Sequence, residues 1–301
     1  MQQTMQHIVV ISIFSRTWAA VFTSDRRGNG RSILLKSQRL PRLLCCALVC
    51  AFAIGGRGFG ERVHAAEFGY AGDNGPGFWS ETPGWEACGG TATTARQSPI
   101  DITDVVVDHH LGPLQLQLHE TPLALTNNGH TIEQEYEPGS FLTVSNVSYT
   151  LTQFHFHTLS EHTVHGERGV MELHAVFKDL SSDKIAVVGM LYTLGRENAF
   201  LSELMGSGLP KKSGDEVNVP SHLITLADAL TDTSRYYTYA GSLTTPPCSE
   251  TVTWFVLRRA GELSQEQFEA FQQLLGNNFR PLQKPNHRVV RTTAPGRGDG
   301  D

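Results

Sequence analysis

The chain has 301 residues, of which 40% are hydrophobic and 18% charged, and its formal net charge at pH 7 is −6. This composition is typical of a globular protein and excludes a disordered or fibrous chain. The charge is uneven: residues 1–65 hold nine Lys/Arg and two acids, so the remainder has 15 Lys/Arg against 28 Asp/Glu, a net charge of −13. Because nucleic-acid binding requires a basic surface, the acidic body argues against that class of function.

The N-terminal region is predicted to be an export signal. Three basic residues precede an apolar stretch at 43–54, which is too short to span a bilayer, and 63–65 is a small-residue cleavage site. We therefore expect residues 1–65 to be removed as a leader. The mature protein would begin near Ala66, without a membrane span, and would be periplasmic or secreted.

Residues 1–35 are long for the basic region of a signal. An over-called start, an organelle-targeting element leading to the thylakoid lumen, and a disordered basic tail remain alternatives.

Cysteine usage is consistent with export. Cys45, Cys46 and Cys50 lie inside the predicted leader, so only Cys88 and Cys248 remain in the mature chain. An even pair in an exported protein favours one disulfide. Two separate buried thiols are the alternative.

Residues 66–291 are predicted to form one mainly β domain, with no repeat or linker dividing them. Short runs of period-two alternation, separated by Gly, Pro, Asn and Asp clusters, indicate strands. These runs lie at 114–118, 132–136, 142–144, 149–158, 171–177, 184–192 and 251–257.

Two helices and a tail are expected outside the sheet. Ser264 and Gln267 form a capping box before an apolar helical face, and Gly276 ends that helix. A second helix is predicted near 198–205. The Gly-rich stretch 292–301, which contains an Arg-Gly-Asp triplet, is predicted to be a disordered tail.

The first candidate metal-binding stretch lies in a predicted strand. Because alternate side chains of a strand share a face, Gln153, His155 and His157 point one way, while Phe154 and Phe156 enter the core. Two imidazoles at this spacing are close enough to bind one ion. Alone, such a pair is more often two core histidines that bond to carbonyl groups.

A second predicted strand places Glu172, His174 and Val176 on one face. If the two strands are neighbours, His174 supplies a third nitrogen, and three neutral imidazoles with one open position are a catalytic zinc arrangement. A ligand histidine needs an acceptor for its other ring nitrogen. Gln153 and Glu172 each lie two residues before a candidate ligand and could be those acceptors.

Seven motifs in this chain resemble, in order and spacing, those of the alpha carbonic anhydrases. The motifs lie at 97–102, 127–130, 153–157, 160–163, 172–174, 241–247 and 278–281, and the resemblance as a whole runs from about residue 68 to 291. The resemblance implies a single domain around a large, twisted, mostly antiparallel sheet with peripheral helices. It also implies a zinc enzyme that reversibly hydrates carbon dioxide to bicarbonate and a proton, with a disulfide between Cys88 and Cys248.

The resemblance assigns roles at the metal. His155, His157 and His174 would hold Zn²⁺, which lowers the pKa of its bound water to about 7 in this family. Thr244 would accept a hydrogen bond from the resulting hydroxide and donate one to Glu161. The residues supporting the ligands would be Gln153, Glu172 and Asn278.

Further roles concern the substrate and the released proton. Thr245 would help to hold bicarbonate, and His130 would be the proton shuttle, since an imidazole with a pKa near 6.5 can accept a proton at neutral pH. Tyr70 and Asn128 would order the waters that connect the metal to His130. The apolar wall for carbon dioxide would consist of Val176, Val187, Leu243, Val252 and Trp254.

The chain departs from the family pattern at a few positions. Phe68 replaces the usual Trp, and Phe78 stands where His is common. Glu133 places a carboxylate at a usually neutral cavity position, where it is expected to raise the pKa of the zinc-bound water slightly.

The resemblance also suggests binding partners and leaves alternatives. Sulfonamide-type inhibitors are expected to bind, nucleic acid is not, and a homodimer remains open. A non-catalytic binding module on the same fold is one alternative function, and a metal-dependent esterase is another. The binding module is disfavoured, because family members without activity have typically lost a ligand histidine and this chain keeps His155, His157 and His174.

Overall fold

The computed structural model describes residues 67–294. The predicted leader at 1–65 and the Arg-Gly-Asp triplet lie outside the described residues. Within 67–294, no helix has the length and apolar character needed to cross a membrane.

The described part of the chain is built mainly from short strands. In chain order these are β1 (Asp101–Ile102), β2 (Val106–Val107), β3 (Gln115–Gln117), β4 (Thr121–Asn127), β5 (Ile132–Glu135), β6 (Phe141–Val144), β7 (Val147–His157), β8 (Thr163–Val164), β9 (Glu167–Arg168), β10 (Met171–Lys178), β11 (Ile185–Leu194), β12 (Glu216–Ile224), β13 (Tyr236–Gly241), β14 (Val252–Leu257), β15 (Gly261–Leu263) and β16 (Arg291–Thr292).

Between residues 67 and 294, helices are few and short. The two α-helices of this part of the chain are α1 (Ala199–Gly206) and α2 (Gln265–Leu275), and 3₁₀ turns lie at Gly72–Asn74, Trp79–Glu81, Glu86–Gly89 and Leu226–Asp228. Ser264 and Gln267 form the predicted capping box of α2, which ends before Gly276. Asn198 caps α1 by accepting from the Leu201 amide.

One large sheet organises the domain. Among residues 67–294 it contains 13 strands, in the order β12-β4-β5-β7-β10-β11-β14-β13-β16-β2, with β3, β6 and β15 joined to its sides. Most pairs are antiparallel; β11–β14, β11–β15 and β16–β2 are parallel. The expected mainly β fold around a large, mostly antiparallel sheet is therefore confirmed.

The sheet register sets the candidate site. Strand β7 lies between β5 and β10, and His155 is the Cα partner of both His174 and Glu133. Because cross-strand partners have their side chains on one face, the three histidines are brought together by backbone pairing. Phe154 and Phe156 point the opposite way and are fully buried.

Separate apolar clusters cover the two faces of β10. Leu173 and Phe177 pack in one cluster with Phe154 and Phe156. Val176 packs on the other face with Val187, Leu191, Val252 and Trp254. Strand β10 is therefore buried on both faces from Met171 to Phe177, although Glu172 and His174 still alternate with apolar residues along it.

All seven predicted strand runs overlap observed strands, with shifts at their ends. The other nine strands in the described part of the chain were not predicted, and the longest of them are β4, β12 and β13. Pro122 lies in β4, and Pro220 lies where the register of β12 shifts, between Val219 and Leu223. Proline is tolerated at edges and bulges, but it is rare inside strands, so a segment that contains proline is not predicted to be a strand from its pattern. Strand β13 has no regular alternation of burial.

The predicted tail boundary at 292 is wrong. Thr292 belongs to β16, which pairs with β13 and β2. Thr292 and Thr293 are buried, and the Thr292 hydroxyl donates to the Tyr236 carbonyl at 3.0 Å. The ordered domain therefore continues past Arg291, because the sheet needs this strand between β13 and β2.

Candidate metal centre and active site

Three histidine side chains converge on one point. Each of His155, His157 and His174 offers a ring nitrogen, and these three atoms lie within 4.8 Å of one another. His157 and His174 are buried, whereas His155 is partly exposed. Gly189, the cross-strand partner of His174, leaves room for the Glu172 carboxylate beside that histidine. A Cβ at that glycine would lie 3.0 Å from Glu172 Oε1.

The other ring nitrogen of each histidine already has a partner. Nδ1 of His155 lies 2.8 Å from Gln153 Oε1, and Nδ1 of His157 lies 2.6 Å from the Asn278 carbonyl. Nε2 of His174 lies 2.9 Å from Glu172 Oε1. These oxygens accept only, so the bonded nitrogens carry the protons. The three remaining nitrogens therefore present lone pairs.

The electrostatics of the centre favour neutral imidazoles. Burial lowers the pKa of His157 to about 4, and burial with the neighbouring imidazoles holds the pKa of His155 well below its usual value. The pKa of His174 is lowered by burial, although the contact with Glu172 opposes this. Neutral imidazole is the form that binds a metal ion.

The donor set fits zinc. Nε2 of His157 is buried and has no hydrogen-bond partner. An orphaned buried acceptor is costly unless something else occupies its lone pair. Three imidazole nitrogens with supported second nitrogens match a catalytic zinc centre, in which one position stays open.

A second cluster of His162, Glu172 and His174 also has close ligand atoms. Both ring nitrogens of His162 are occupied, however: Nδ1 lies 2.7 Å from Glu172 Oε1, and Nε2 lies 2.7 Å from the Tyr239 hydroxyl. His162 therefore has no free lone pair for a metal and holds Glu172 in place instead.

Glu172 is held as an anion. Burial alone would raise its pKa, but His162, His174 and their hydrogen bonds keep the pKa well below its usual value. Its Oε2 also accepts from the Glu161 and His162 amides, both at 2.8 Å. An anionic Glu172 fixes the orientation of the His174 ring.

Glu161 lies beside the metal centre. Its Oε1 accepts from the Arg280 amide at 2.8 Å, and its Oε2 lies 3.6 Å from His157 Nε2 and 3.9 Å from His174 Nδ1. Burial raises the pKa of Glu161, while His174, the Arg280 amide and a hydrogen bond from Thr244 oppose that rise. Oε2 of Glu161 is buried and accepts no hydrogen bond of good geometry from the described residues.

The loop that carries Thr244 is anchored on both sides. The Trp254 indole donates to the Ser242 carbonyl at 3.1 Å. At the other end, Cys88 and Cys248 form the predicted disulfide. Thr244 is buried, and Thr245 is partly exposed beside it.

His130 lies at the end of a turn, partly buried. Its ring stacks on Phe68, with centroids 3.8 Å apart and an interplanar angle of 10°. Burial lowers the pKa of His130, although Glu67 opposes this. Oδ1 of Asn128 accepts from the His130 and Thr131 amides, so this oxygen shapes the turn.

Asn278 connects the metal centre to this turn. Its carbonyl accepts from His157, whereas its side-chain amide donates to the carbonyls of His130 and Phe156, each at 2.9 Å. The support that Asn278 gives His157 therefore comes from its main chain, and its side chain holds the strand and the turn.

The remaining predicted positions lie around the histidines. The five residues of the predicted apolar wall belong to one cluster, in which Leu243 is only partly buried. Burial, and secondarily Glu161, holds the pKa of Tyr70 well above its usual value. Glu133 is half-buried on the His155 face, where burial raises its pKa, as does Glu135.

Sequence reasoning assigned no role to His162, Tyr239, Ser98 or Arg280. The Tyr239 hydroxyl donates to Ser98 Oγ at 3.0 Å, and Arg280 Nη1 donates to Gln97 Oε1 at 2.9 Å. The motifs at 97–102, 160–163 and 278–281 contained three of these residues. These residues form contacts with partners far away in the sequence, so no local sequence pattern indicates those contacts.

Comparisons with known sequences agree with this geometry. The family described as eukaryotic-type carbonic anhydrase has a sequence model that matches residues 74–294. A carbonic anhydrase of Nostoc sp. is 37% identical over 234 residues, covering 76% of this chain and 87% of its own length. One of Neisseria gonorrhoeae is 36% identical over 255 residues, covering 83% of this chain and 96% of its own length.

Solved structures show the same similarity. The alpha-carbonic anhydrase of Thermovibrio ammonificans in complex with the inhibitor sulfanilamide matches with a TM-score of 0.70 and 35% sequence identity. The match covers 76% of this chain and 100% of that one.

Proposed function

Since this chain belongs to the eukaryotic-type carbonic anhydrase family and is an enzyme of that kind, we propose that it hydrates carbon dioxide at a zinc ion held by three histidines. The observation that carries this proposal is the convergence of His155, His157 and His174, with Nε2 of His157 orphaned in a buried position.

Bound zinc would supply a water of lowered pKa as the nucleophile toward carbon dioxide. The chain's own contribution is to hold the three imidazoles neutral and oriented. Gln153, Glu172 and the Asn278 carbonyl do this through the opposite ring nitrogens. Val176, Val187, Leu243, Val252 and Trp254 would provide the apolar wall that a small molecule without a net dipole requires.

Thr244 would orient the nucleophile. An ionised Glu161 only accepts hydrogen bonds, so a hydroxyl proton donated to it points the Thr244 oxygen lone pair toward the reacting water. Arg280 holds Glu161 in position through its amide. Thr245, partly exposed beside Thr244, would contact bicarbonate.

Replacing Thr244 by alanine tests this role. We expect Thr244→Ala to lower kcat/KM about a hundredfold, the effect of losing one preorganised polar contact to the transition state. Thr244→Ser keeps the hydroxyl and should recover most of the activity. The measurement is stopped-flow carbon dioxide hydration, with zinc content determined for both variants. Equal losses in the two variants, or loss of zinc, would contradict an orienting role.

His130 would carry the released proton to buffer. A turnover of ~10⁶ s⁻¹ allows a barrier of only about 9 kcal/mol. Transfer from a group of pKa ~7 directly to bulk water is uphill by about 9–10 kcal/mol. The pKa of His130 is lowered by burial, so its imidazole is neutral at pH 7 and can accept the proton. Tyr70 and Asn128 would order the intervening waters.

Removing the imidazole should separate proton transfer from hydration. We expect His130→Ala to lower kcat about a hundredfold in weak buffer while kcat/KM stays near the wild-type value. Free imidazole in the buffer should restore kcat. A parallel loss of kcat and kcat/KM that imidazole does not rescue would argue against the shuttle.

Phe68→Ala is the matched control, because it removes the stacked ring and keeps the imidazole. The pKa of His130, lowered by burial, should then rise toward its ordinary value, as an NMR titration would show. This variant should keep its kcat in weak buffer far better than His130→Ala.

Two extensions follow from the same site. We expect sulfonamides to bind, as sulfanilamide does in the Thermovibrio ammonificans structure. Slow hydrolysis of activated esters would use the same nucleophile. The ratio of the rate of carbon dioxide hydration to the rate of ester hydrolysis, measured on zinc-loaded protein, discriminates a hydratase from a dedicated esterase.

Export remains part of the proposal. The disulfide indicates an oxidising compartment, which supports removal of residues 1–65 and a periplasmic or secreted location. N-terminal sequencing of the exported protein would test the predicted start near Ala66.

A further inference from the structure

A cavity separate from the histidine centre is lined by residues of β9, β11 and β14. Its volume is about 180 Å³, and its apolar lining includes Val164, Leu191 and Leu257. Arg168, Arg258 and Glu167 also line it, so its lining residues carry two guanidinium groups and one carboxylate. None of these residues belongs to the proposed catalytic machinery.

Both guanidinium groups lie over an aromatic ring. Arg168 lies 4.7 Å from the ring centroid of Phe279, and Arg258 lies 5.8 Å from that of Tyr237. A guanidinium over a ring can still donate from the N–H groups in its plane, as Nη1 of Arg168 does to two backbone carbonyls. Two guanidinium groups among the lining residues favour an anionic ligand.

The chemistry of the lining narrows the ligand. A guanidinium matches a carboxylate in shape and charge. Leucine and valine side chains suit a short apolar body behind the anionic group, and Glu167 disfavours more than one negative charge. The volume of about 180 Å³ equals that of roughly six waters in the liquid, which limits the ligand to about the size of benzoate.

We propose that this cavity binds a small monocarboxylate with an apolar body, through the guanidinium edges of Arg168 and Arg258. The site is distinct from the histidine centre, so binding to it requires no metal.

The cavity is connected to the active-site loop. Nη1 of Arg168 donates to the Ser160 carbonyl and, at 3.5 Å, to the Glu161 carbonyl. The Gly169 amide, also in the lining, donates to Ser160 Oγ at 2.9 Å. A carboxylate on Arg168 competes with these carbonyls for its protons and loosens the segment that carries Glu161.

Leu191 provides a second connection between the cavity and the active site, because this lining residue is the Cα partner of Glu172. Occupancy should therefore lower kcat, by about threefold, without displacing zinc. This coupling rests on the proposed function, whereas ligand binding does not.

The test is a titration of metal-free protein with benzoate, followed by amide NMR shifts at Val164, Gly169 and Leu191. We expect a dissociation constant of about 1 mM. Benzamide, the neutral analogue, should bind more than about tenfold more weakly, because it lacks the charge-assisted bonds. Arg258→Gln should weaken benzoate binding by a similar factor.

Arg259→Gln is the matched control, since Arg259 is exposed next to Arg258 but does not line the cavity. It should leave benzoate binding unchanged, and both variants should keep the wild-type melting temperature. Equal binding of benzoate and benzamide, or of benzoate to Arg258→Gln and wild type, would overturn the proposal.

A repeat with zinc-loaded protein separates the two proposals. Benzoate binding at the cavity with no carbon dioxide hydration would refute the proposed function and support this site. Hydration unaffected by saturating the cavity would overturn the coupling alone.

Discussion

Replacing His174 by alanine is expected to abolish stoichiometric zinc binding and to lower carbon dioxide hydration more than about a thousandfold. A catalytic zinc centre takes three protein ligands, and the remaining pair, His155 and His157, leaves the ion without its third. The loss is expected to be this large because a poorly held ion no longer activates water. Zinc per chain and hydration rates check the result.

The control must show that the loss comes from the ligand. His109→Ala removes an exposed histidine far from β7 and β10 in the chain, and it should keep full zinc content and activity. Glu172→Gln keeps all three ligands but removes the anion that orients His174, so it should weaken zinc affinity by about 10- to 100-fold. Persistent catalysis in folded His174→Ala would refute the proposed metal centre.

Removing the disulfide should have the largest effect on stability. Cys88 and Cys248 are separated by 160 residues, and closing a loop of that length contributes roughly 5 kcal/mol in the chain-entropy model. For a domain of this size, the loss corresponds to a fall in melting temperature of about 10–20 °C. Thermal unfolding of Cys88→Ser/Cys248→Ser measures it.

Local contacts add to this effect. The Cys248 amide donates to the Thr245 carbonyl at 2.9 Å, and Arg280 Nη2 donates to the Cys88 carbonyl at 2.7 Å. Losing the bridge should therefore loosen the loop that carries Thr244 and lower activity as well. Wild type treated with a reductant is the control and should match the double variant. A fall in melting temperature of less than about 3 °C would show that the bridge adds little stability.

The amino-acid sequence by itself determined the ligand candidates. Alternation along 153–157 and 171–176 placed His155, His157 and His174 on strand faces, and Gln153 and Glu172 on those same faces. These are local consequences of a side-chain period of two. The capping box of α2 is equally local, since Ser264 and Gln267 are three residues apart.

Tertiary structure decided which strands are neighbours and which groups meet. Only the pairing of β7 with β10 brings His174 opposite His155. The hydrogen bonds of Asn278 with His157 and of Arg280 with Glu161 join residues more than 100 positions apart in the sequence. The burial that lowers the histidine pKa values also depends on these contacts. Such contacts join residues with no common local pattern, so the sequence names the chemistry while packing sets its geometry and electrostatics.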